Sequence, residues 1–161
     1  LEQASHDYEQ LQQSLEQKQW ESAAKQAELL AQHHGDTPYA ALAMLLLAKG
    51  QVEQQQWDSA MTSLRWTMNA ESAMPELRQI ARFRLARLLI HAKQYDTALK
   101  LVPSEAEAPG FAALYAELKG DIYHAKGERD QARQAYQKAL LLEGGERSLV
   151  QIKLDELGLG A

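Results

Sequence analysis

One tetrapeptide pattern recurs four times in this chain and constrains the fold more than any other feature. An aromatic residue or Arg is followed by an acid, a polar residue and Ala. The copies start 37, 38 and 34 residues apart, and a period of this size is typical of stacked repeats. An amphipathic run lies on each side of every copy, so the repeating unit is predicted to be a helix, a tight turn and a second helix. The four copies are Trp20-Glu21-Ser22-Ala23, Trp57-Asp58-Ser59-Ala60, Tyr95-Asp96-Thr97-Ala98 and Arg129-Asp130-Gln131-Ala132.

The acid and the alanine of each tetrapeptide have separate physical roles. The acid lies in the first turn of the second helix, where the helix dipole favours negative charge. The pairs Glu21/Lys25 and Asp96/Lys100 also stand in the favourable i,i+4 order. The alanine is small, which suits a position where two antiparallel helices cross closely. We therefore expect the four alanines to be buried at helix crossings.

Helix-boundary residues divide the chain into hairpins. Thr37-Pro38 is typical of an N-cap followed by Pro at the first helical position, and Pro75 opens a helix in the same way after Ser72. The segment Pro103 to Gly110 has two prolines and no periodicity, so this loop shortens the third hairpin. No segment alternates like a strand.

The predicted fold is therefore all-α, a solenoid of about four helical hairpins followed by a C-terminal capping helix. A chain of 161 residues fits one domain, which we expect to span residues 1–161. The hairpins are predicted near 4–34, 38–70, 75–102 and 110–143, with the capping helix at 147–157.

Composition excludes several functional classes. The 22 Asp and Glu outnumber 17 Lys and Arg, and this net charge of −5 argues against a protein that binds nucleic acid. The absence of Cys excludes disulfides, Cys-ligated zinc and thiol catalysis. The longest apolar stretch, Tyr39 to Ala48, is too short to span a membrane. Because the chain begins at Leu1 without a signal-peptide pattern, we expect it to be a fragment whose natural N-terminus is missing.

The sequence contains none of the common catalytic or metal-binding motifs. Its five histidines form no i,i+4 pair, and His33-His34 beside Gly35 is typical of a solvated helix end. There is no P-loop, GxSxG or GxGxxG, and Gly144-Gly145 is predicted to stop a helix. We therefore expect no catalytic residue, no cofactor and no metal ion. The alternative, an enzyme or metalloprotein, requires a pocket in which titratable groups converge.

The fourth unit has small and aromatic residues at fixed spacings: Gly120, Tyr123, Gly127, Ala132, Tyr136 and Ala139. With these residues it resembles a tetratricopeptide repeat (TPR), in which small residues let the two helices approach while tyrosines fill the spaces between them. The second and third units keep only part of the pattern, Ala48 with Ala60 and Ala86 with Ala98.

The first helices of the second and third units share a face with two apolar residues, a cation and a further apolar residue at 3, 4, 3 spacing. In a TPR array this side of the first helix lines the concave groove, so the resemblance implies a partner-binding surface. The alternative is that these residues pack first helices of adjacent repeats together. The fourth unit would add acids to the same groove, with Leu114, Glu117, Asp121 and His124. The groove residues of the second and third units are Leu42, Leu45, Lys49, Val52, Ile80, Phe83, Arg87 and Ile90.

One helix is strongly cationic within this acidic chain. Residues 75–95 hold five cations against Glu76 alone, a local charge of +4. A solvated helix face is expected to carry both positive and negative side chains, whereas Lys49 and Arg87 stand among apolar residues. We therefore expect an apolar partner segment with a carboxylate to bind there. The five cations are Arg78, Arg82, Arg84, Arg87 and Lys93.

Three pairs of segments within residues 37–140 carry a resemblance beyond the generic repeat. They are Thr37-Pro38-Tyr39-Ala40-Ala41-Leu42-Ala43 with Leu47-Ala48-Lys49, Phe83-Arg84-Leu85-Ala86-Arg87-Leu88 with Tyr95-Asp96-Thr97-Ala98-Leu99, and Gly110-Phe111-Ala112-Ala113 with Leu118-Lys119-Gly120-Asp121 and Ala132-Arg133. In these segments the chain resembles the periplasmic part of the YfgM-like ancillary subunits of the bacterial Sec translocon. The resemblance implies a non-enzymatic scaffold that links the translocon to a PpiD-type periplasmic chaperone, held at the inner membrane by an N-terminal helix that this chain lacks. The alternative is a cytosolic TPR adaptor that binds short peptide segments.

Overall fold

The computed structural model describes residues 1–159, and all regular secondary structure in that range is helical. The all-α prediction is therefore confirmed for the described residues. Residues 160 and 161, which the single-domain prediction includes, lie outside the described range. The helices are α1 (Glu2–Glu16), α2 (Trp20–His33), α3 (Pro38–Glu53), α4 (Trp57–Asn69), α5 (Pro75–His91), α6 (Tyr95–Leu101), α7 (Ala112–Lys126), α8 (Arg129–Leu141) and α9 (Arg147–Leu159), with a short 3-10 turn at Pro109–Phe111 before α7.

The chain divides into two compact units, and the division falls within α5. The first unit is Leu1–Leu85, and the second begins at Ala86. In the first unit α1, α2 and α3 pack around a shared core, with Tyr39 and Trp66 at its edge. The buried residues of that core are Ala4, Leu11, Ala23, Ala27, Leu30, Ala43, Met44 and Leu47.

The second unit is built on the α7–α8 hairpin, against which α9 packs. Val150 and Leu157 of α9 join the buried core beside Tyr136 of α8. The C-terminal helix therefore covers an apolar surface of the last hairpin, as expected of a cap. The remaining buried residues of this core are Ala116, Ala132 and Ala139.

All four hairpin turns adopt the same backbone conformation. The turn residue two positions before each second helix has a positive φ: 56° at Lys18, 59° at Gln55, 59° at Lys93 and 82° at Gly127. The amide of this residue donates a hydrogen bond to the carbonyl three residues before it. The amide of the following residue donates to the carbonyl five residues before itself, and all these bonds are 2.8–3.0 Å long. These two bonds satisfy the last carbonyls of the first helix, as in the Schellman motif. Only the fourth turn uses glycine, which adopts this conformation without steric cost.

The alanine of each tetrapeptide follows directly from this turn. Its amide bonds the carbonyl of the residue just before the second helix, at 2.9–3.0 Å in all four hairpins. Ala23, Ala60, Ala98 and Ala132 are all 0% exposed. The expectation that these alanines are buried is therefore confirmed.

Two details of the helix boundaries differ from expectation. Thr37 precedes α3 as predicted, but its hydroxyl makes no capping bond to that helix and instead donates to the His34 carbonyl at 2.7 Å. The Ser72 hydroxyl likewise reaches the Gly35 carbonyl at 2.6 Å. Both hydroxyls therefore stabilise the loop that ends α2.

No helix within residues 1–159 combines the length and the apolar character needed to cross a bilayer.

Candidate functional site

The predicted groove residues of α3 differ in their accessibility. Leu42 and Val52 are half-buried and Lys49 is exposed, whereas Leu45 is only 7% exposed. A side chain as buried as Leu45 offers little surface to a partner. On α3 the predicted face therefore combines accessible positions with one packed position.

Lys49 lies beside a depression of about 340 Å³ between α1 and α3. Glu16 and Glu53 line the same depression, and the Trp20 ring forms one wall. The ring approaches α3 closely at Gly50, because a Cβ on that residue would lie 2.9 Å from the Trp20 ring. The surroundings of Lys49 thus include two carboxylates besides the apolar neighbours that the sequence indicated.

On α5, Ile80, Phe83 and Ile90 are half-buried and Arg87 is exposed. Arg87 Nη1 donates to Asp121 Oδ2 of α7 at 3.2 Å, with the Arg87 side chain 55% exposed. Arg87 therefore contacts the first helix of the next hairpin, as in the packing alternative, while half of its side chain still faces solvent.

Glu117 and Asp121, the two acids expected in the fourth unit's groove, are both paired with one lysine of the capping helix. Lys153 Nζ of α9 lies 2.6 Å from Glu117 Oε1 and 2.8 Å from Asp121 Oδ1. Asp121 also accepts a 2.7 Å hydrogen bond from the Tyr136 hydroxyl. The expectation of an acidic groove end is therefore wrong for these two residues, because Lys153 of α9 and Arg87 of α5 together offset both negative charges.

The Tyr136 hydroxyl is held in its neutral form. Burial raises the pKa of the Tyr136 phenol far above its ordinary value, and the hydrogen bond to Asp121 raises it further. A neutral phenol keeps its proton to donate to the carboxylate. Tyr136 thus serves as a hydrogen-bond donor inside the α7–α9 ion-pair cluster.

A separate cleft of about 630 Å³ opens in the second unit, between α7, α8 and the segment that follows α6. The helix α6 has 7 residues, whereas the second helices α2, α4 and α8 have 14, 13 and 13. The irregular segment 102–106 therefore lies where a longer second helix would continue. The cleft is lined by Tyr115, Lys119 and Tyr123 of α7 and by Gln131, Gln134 and Lys138 of α8, among others.

Sequence reasoning found the shortened hairpin but not the cleft beside it, nor the role of Lys153. The prolines between Pro103 and Gly110 were the available signal for the cleft. A different signal, for a contact with the capping helix, was Arg129, which replaces an aromatic residue in the fourth tetrapeptide. Its guanidinium donates to the Leu157 carbonyl near the end of α9. Thus Arg129 also helps to hold the capping helix.

Within residues 1–159, no group of three or more His, Asp or Glu side chains is placed to share a metal ion. Of the adjacent histidines, His33 is exposed and His34 Nε2 lies 3.7 Å from Asp7 Oδ2.

Comparison with known proteins identifies the repeat. Residues 1–159 match the family model described as a tetratricopeptide repeat-like domain. A solved structure, "MamA 41-end from Desulfovibrio magneticus RS-1", superposes with a TM-score of 0.69 at 20% identity, covering 97% of this chain and 84% of that chain. The TPR-like fold class predicted from the sequence is therefore confirmed.

Two relatives are similar in sequence over most of this chain. The "Ancillary SecYEG translocon subunit" of Neisseria gonorrhoeae is 33% identical over 132 residues, which are 80% of this chain and 62% of the relative. The protein of the same name from Aggregatibacter actinomycetemcomitans is 34% identical over 155 residues, 96% of this chain and 74% of the relative. The match thus spans less than two thirds of the first relative and about three quarters of the second.

Proposed function

This chain belongs to the tetratricopeptide repeat-like family of ancillary SecYEG translocon subunits, and on that premise we propose that it is a non-enzymatic protein-interaction scaffold of the Sec translocon. Its task is to bind translocon components and a PpiD-type periplasmic chaperone at the same time. The whole protein is held at the periplasmic face of the inner membrane by an N-terminal helix outside this chain.

The observation that carries the proposal is the accessible, mixed face on the first helices of the second and third hairpins. Phe83 and Ile90 are half-buried, which leaves apolar surface for a partner to cover. Lys49 and Arg87 are exposed cations within the same faces. Aromatic residues and arginines of this kind dominate binding energy when a partner excludes water around them. We propose that partners bind two helix faces, one on α3 and one on α5. Leu42, Lys49 and Val52 are the accessible residues of the α3 face, in which Leu45 is packed, and Ile80, Phe83, Arg87 and Ile90 form the α5 face.

The charge of α5 supports an acidic partner segment. Residues 75–95 carry a net charge of +4 in a chain of −5. Arg87 already binds one carboxylate, that of Asp121, with more than half of its side chain still exposed. A carboxylate on a partner can therefore bind the same guanidinium, which offers five N–H donors.

The test uses the natural full-length protein, isolated from membranes after crosslinking. Phe83→Ala and Arg87→Glu are each expected to reduce crosslinking to the translocon or the chaperone by roughly 5- to 100-fold, as for interface residues that contribute about 1–3 kcal/mol. Leu29→Ala and Arg65→Glu are matched controls on exposed positions of α2 and α4. Wild-type crosslinking by both folded variants rejects this surface.

Fractionation tests the location independently. The full-length protein is expected in the inner membrane, with its TPR-like part digested by protease only from the periplasmic side. Recovery in the cytosol would reject the translocon role in favour of a cytosolic adaptor that binds short peptides.

A further inference from the structure

We propose that the cleft beside α7 is a second docking site, which binds an extended peptide carrying an apolar side chain next to a carboxylate. This inference rests on the proposed role as an interaction scaffold, but its residues are separate from the α3 and α5 faces. The site arises because α6 ends at Leu101, so that segment 102–106 and the faces of α7 and α8 enclose a space of about 630 Å³. A cleft of this volume lies within the range of sites that bind small ligands and short peptide segments.

The apolar part of the cleft has small residues beside aromatic ones. Ala112 and Tyr123 are half-buried and provide accessible apolar surface, whereas Ala116 and Ala135 are buried. Tyr115 is 3% exposed and its ring lies 6.5 Å from that of Phe111, so it is a packed part of the wall. An apolar side chain of a bound peptide would therefore contact mainly Ala112 and Tyr123.

The charges of the cleft favour a carboxylate. Lys138 is paired with Glu105 across the cleft, so these two lining charges neutralise each other. Lys119 is exposed, and among residues 1–159 its partner is the Tyr123 ring, 5.8 Å away, rather than a carboxylate. One ammonium group thus faces the cleft with hydrogen-bonding capacity left. A carboxylate beside the apolar side chain would complement it in charge and geometry.

The glutamines of α8 favour an extended backbone. Gln131 and Gln134 are exposed, line the cleft, and lie three residues apart on one helical face. Each amide group can both donate and accept hydrogen bonds. An extended peptide presents free N–H and C=O groups to such side chains, whereas a helical peptide has satisfied most of its own.

The probes are two blocked tetrapeptides, acetyl-Ala-Phe-Asp-Ala-amide and its Asn counterpart, titrated into the whole 161-residue chain labelled with nitrogen-15. The Asp peptide is expected to shift the amide resonances around Lys119, Gln131 and Gln134 in a saturable manner. The Asn peptide is expected to bind about tenfold more weakly, because it lacks the charge-assisted bond. Lys119→Glu should abolish binding, and Lys119→Gln should equalise the two peptides.

Lys25→Glu, which makes the same charge change on an exposed lysine of α2, is expected to bind like wild type. Equal affinity for the two peptides, unchanged binding by folded Lys119→Glu, or resonance shifts away from the cleft would each overturn the proposal. So would a dimer in sedimentation that Lys119→Glu dissociates, because the occupant would then be a second copy of this chain.

The two proposals fail in distinguishable ways. Peptide binding at the cleft without crosslinking of the full-length protein to the translocon would reject the scaffold role in the Sec system while keeping the site. Normal crosslinking without peptide binding would reject the cleft alone.

Discussion

The ring of Tyr136 occupies the space that a side chain on Gly120 would need. A Cβ on Gly120 would lie 2.3 Å from Tyr136 Cε1, far inside van der Waals contact. Tyr136 is 2% exposed, and its hydroxyl is bound to Asp121 at 2.7 Å, so the ring is held at both ends. The close approach of α7 and α8 therefore depends on the absence of a side chain at residue 120.

Replacing Gly120 with Ala is expected to lower the free energy of unfolding by about 1–3 kcal/mol, because the ring or the helix must shift to admit the methyl group. Gly158→Ala is the matched control, since a Cβ there meets nothing within 4 Å. That substitution should be neutral or slightly stabilising, because Ala favours a helix over Gly. Urea denaturation of the three proteins measures the difference. A Gly120→Ala variant as stable as wild type would contradict the packing described.

The hairpin turns provide a test of backbone strain. Lys18, Gln55 and Lys93 adopt the left-handed conformation that costs a residue with a side chain about 1–2 kcal/mol. Changing each to Gly removes this strain and is expected to raise the free energy of unfolding by roughly 0.5–1 kcal/mol. The gain is smaller than the strain itself because Gly also gains freedom in the unfolded chain, which lowers stability. Gly127→Lys, at φ 82°, should lower it by a similar amount.

The control for these turns is Gln17→Gly, because Gln17 has an ordinary φ of −80° immediately before Lys18. Gly there has no strain to relieve and is expected to destabilise the protein. Thermal melts compare all five variants with wild type. Stabilisation by Gln17→Gly equal to that by Lys18→Gly would show that strain is not the cause.

The ion pairs of Lys153 should hold α9 against α7. Lys153→Met leaves the carboxylates of Glu117 and Asp121, whose side chains are 11% and 16% exposed, without their main cation. We expect a loss of about 1–3 kcal/mol, between the values for exposed and buried pairs. Hydrogen exchange measures the same effect locally: in Lys153→Met the amides of α9 should exchange faster than in wild type, and the increase should be confined to that helix.

Lys138→Met is the control for that variant. It removes a lysine from the pair with Glu105, in which both side chains are more than half exposed. Solvent screens such a pair, so the change in the free energy of unfolding should stay below about 1 kcal/mol. Equal effects of the two substitutions on stability would contradict a structural role for Lys153.

Stability is also expected to decrease at alkaline pH through Tyr136. The folded state raises the pKa of this phenol well above the ordinary value of 10.0, so the unfolded chain releases the proton first. The contribution to stability is therefore complete below about pH 9 and falls as pH rises through 10 and beyond. The measurement is the free energy of unfolding from pH 8 to 11 for wild type and Tyr136→Phe. A difference between the two proteins that stays constant with pH would contradict the prediction.

The helices and the buried alanines of the tetrapeptides were predictable from the sequence. These features depend on local information: helical periodicity, proline and glycine at boundaries, and a small residue at each crossing. The limits of α3, which begins at Pro38, and of the segment after Leu101 were readable for the same reason. The positive φ of Lys18, Gln55 and Lys93 was not readable, because these residue types rarely adopt that conformation and only the required hairpin geometry imposes it.

Which side chains from distant parts of the chain meet depends on the tertiary packing. The sequence predicted an acidic surface at Glu117 and Asp121, but in the structure Lys153 of α9 forms an ion pair with each of them. The sequence places Arg87 among apolar residues, but in the structure its Nη1 lies 3.2 Å from Asp121 Oδ2 of α7. The cleft at Lys119 exists only because a shortened α6 leaves the adjoining faces of α7 and α8 uncovered. Each of these depends on the packing of residues that are far apart in the chain, which helical periodicity does not encode.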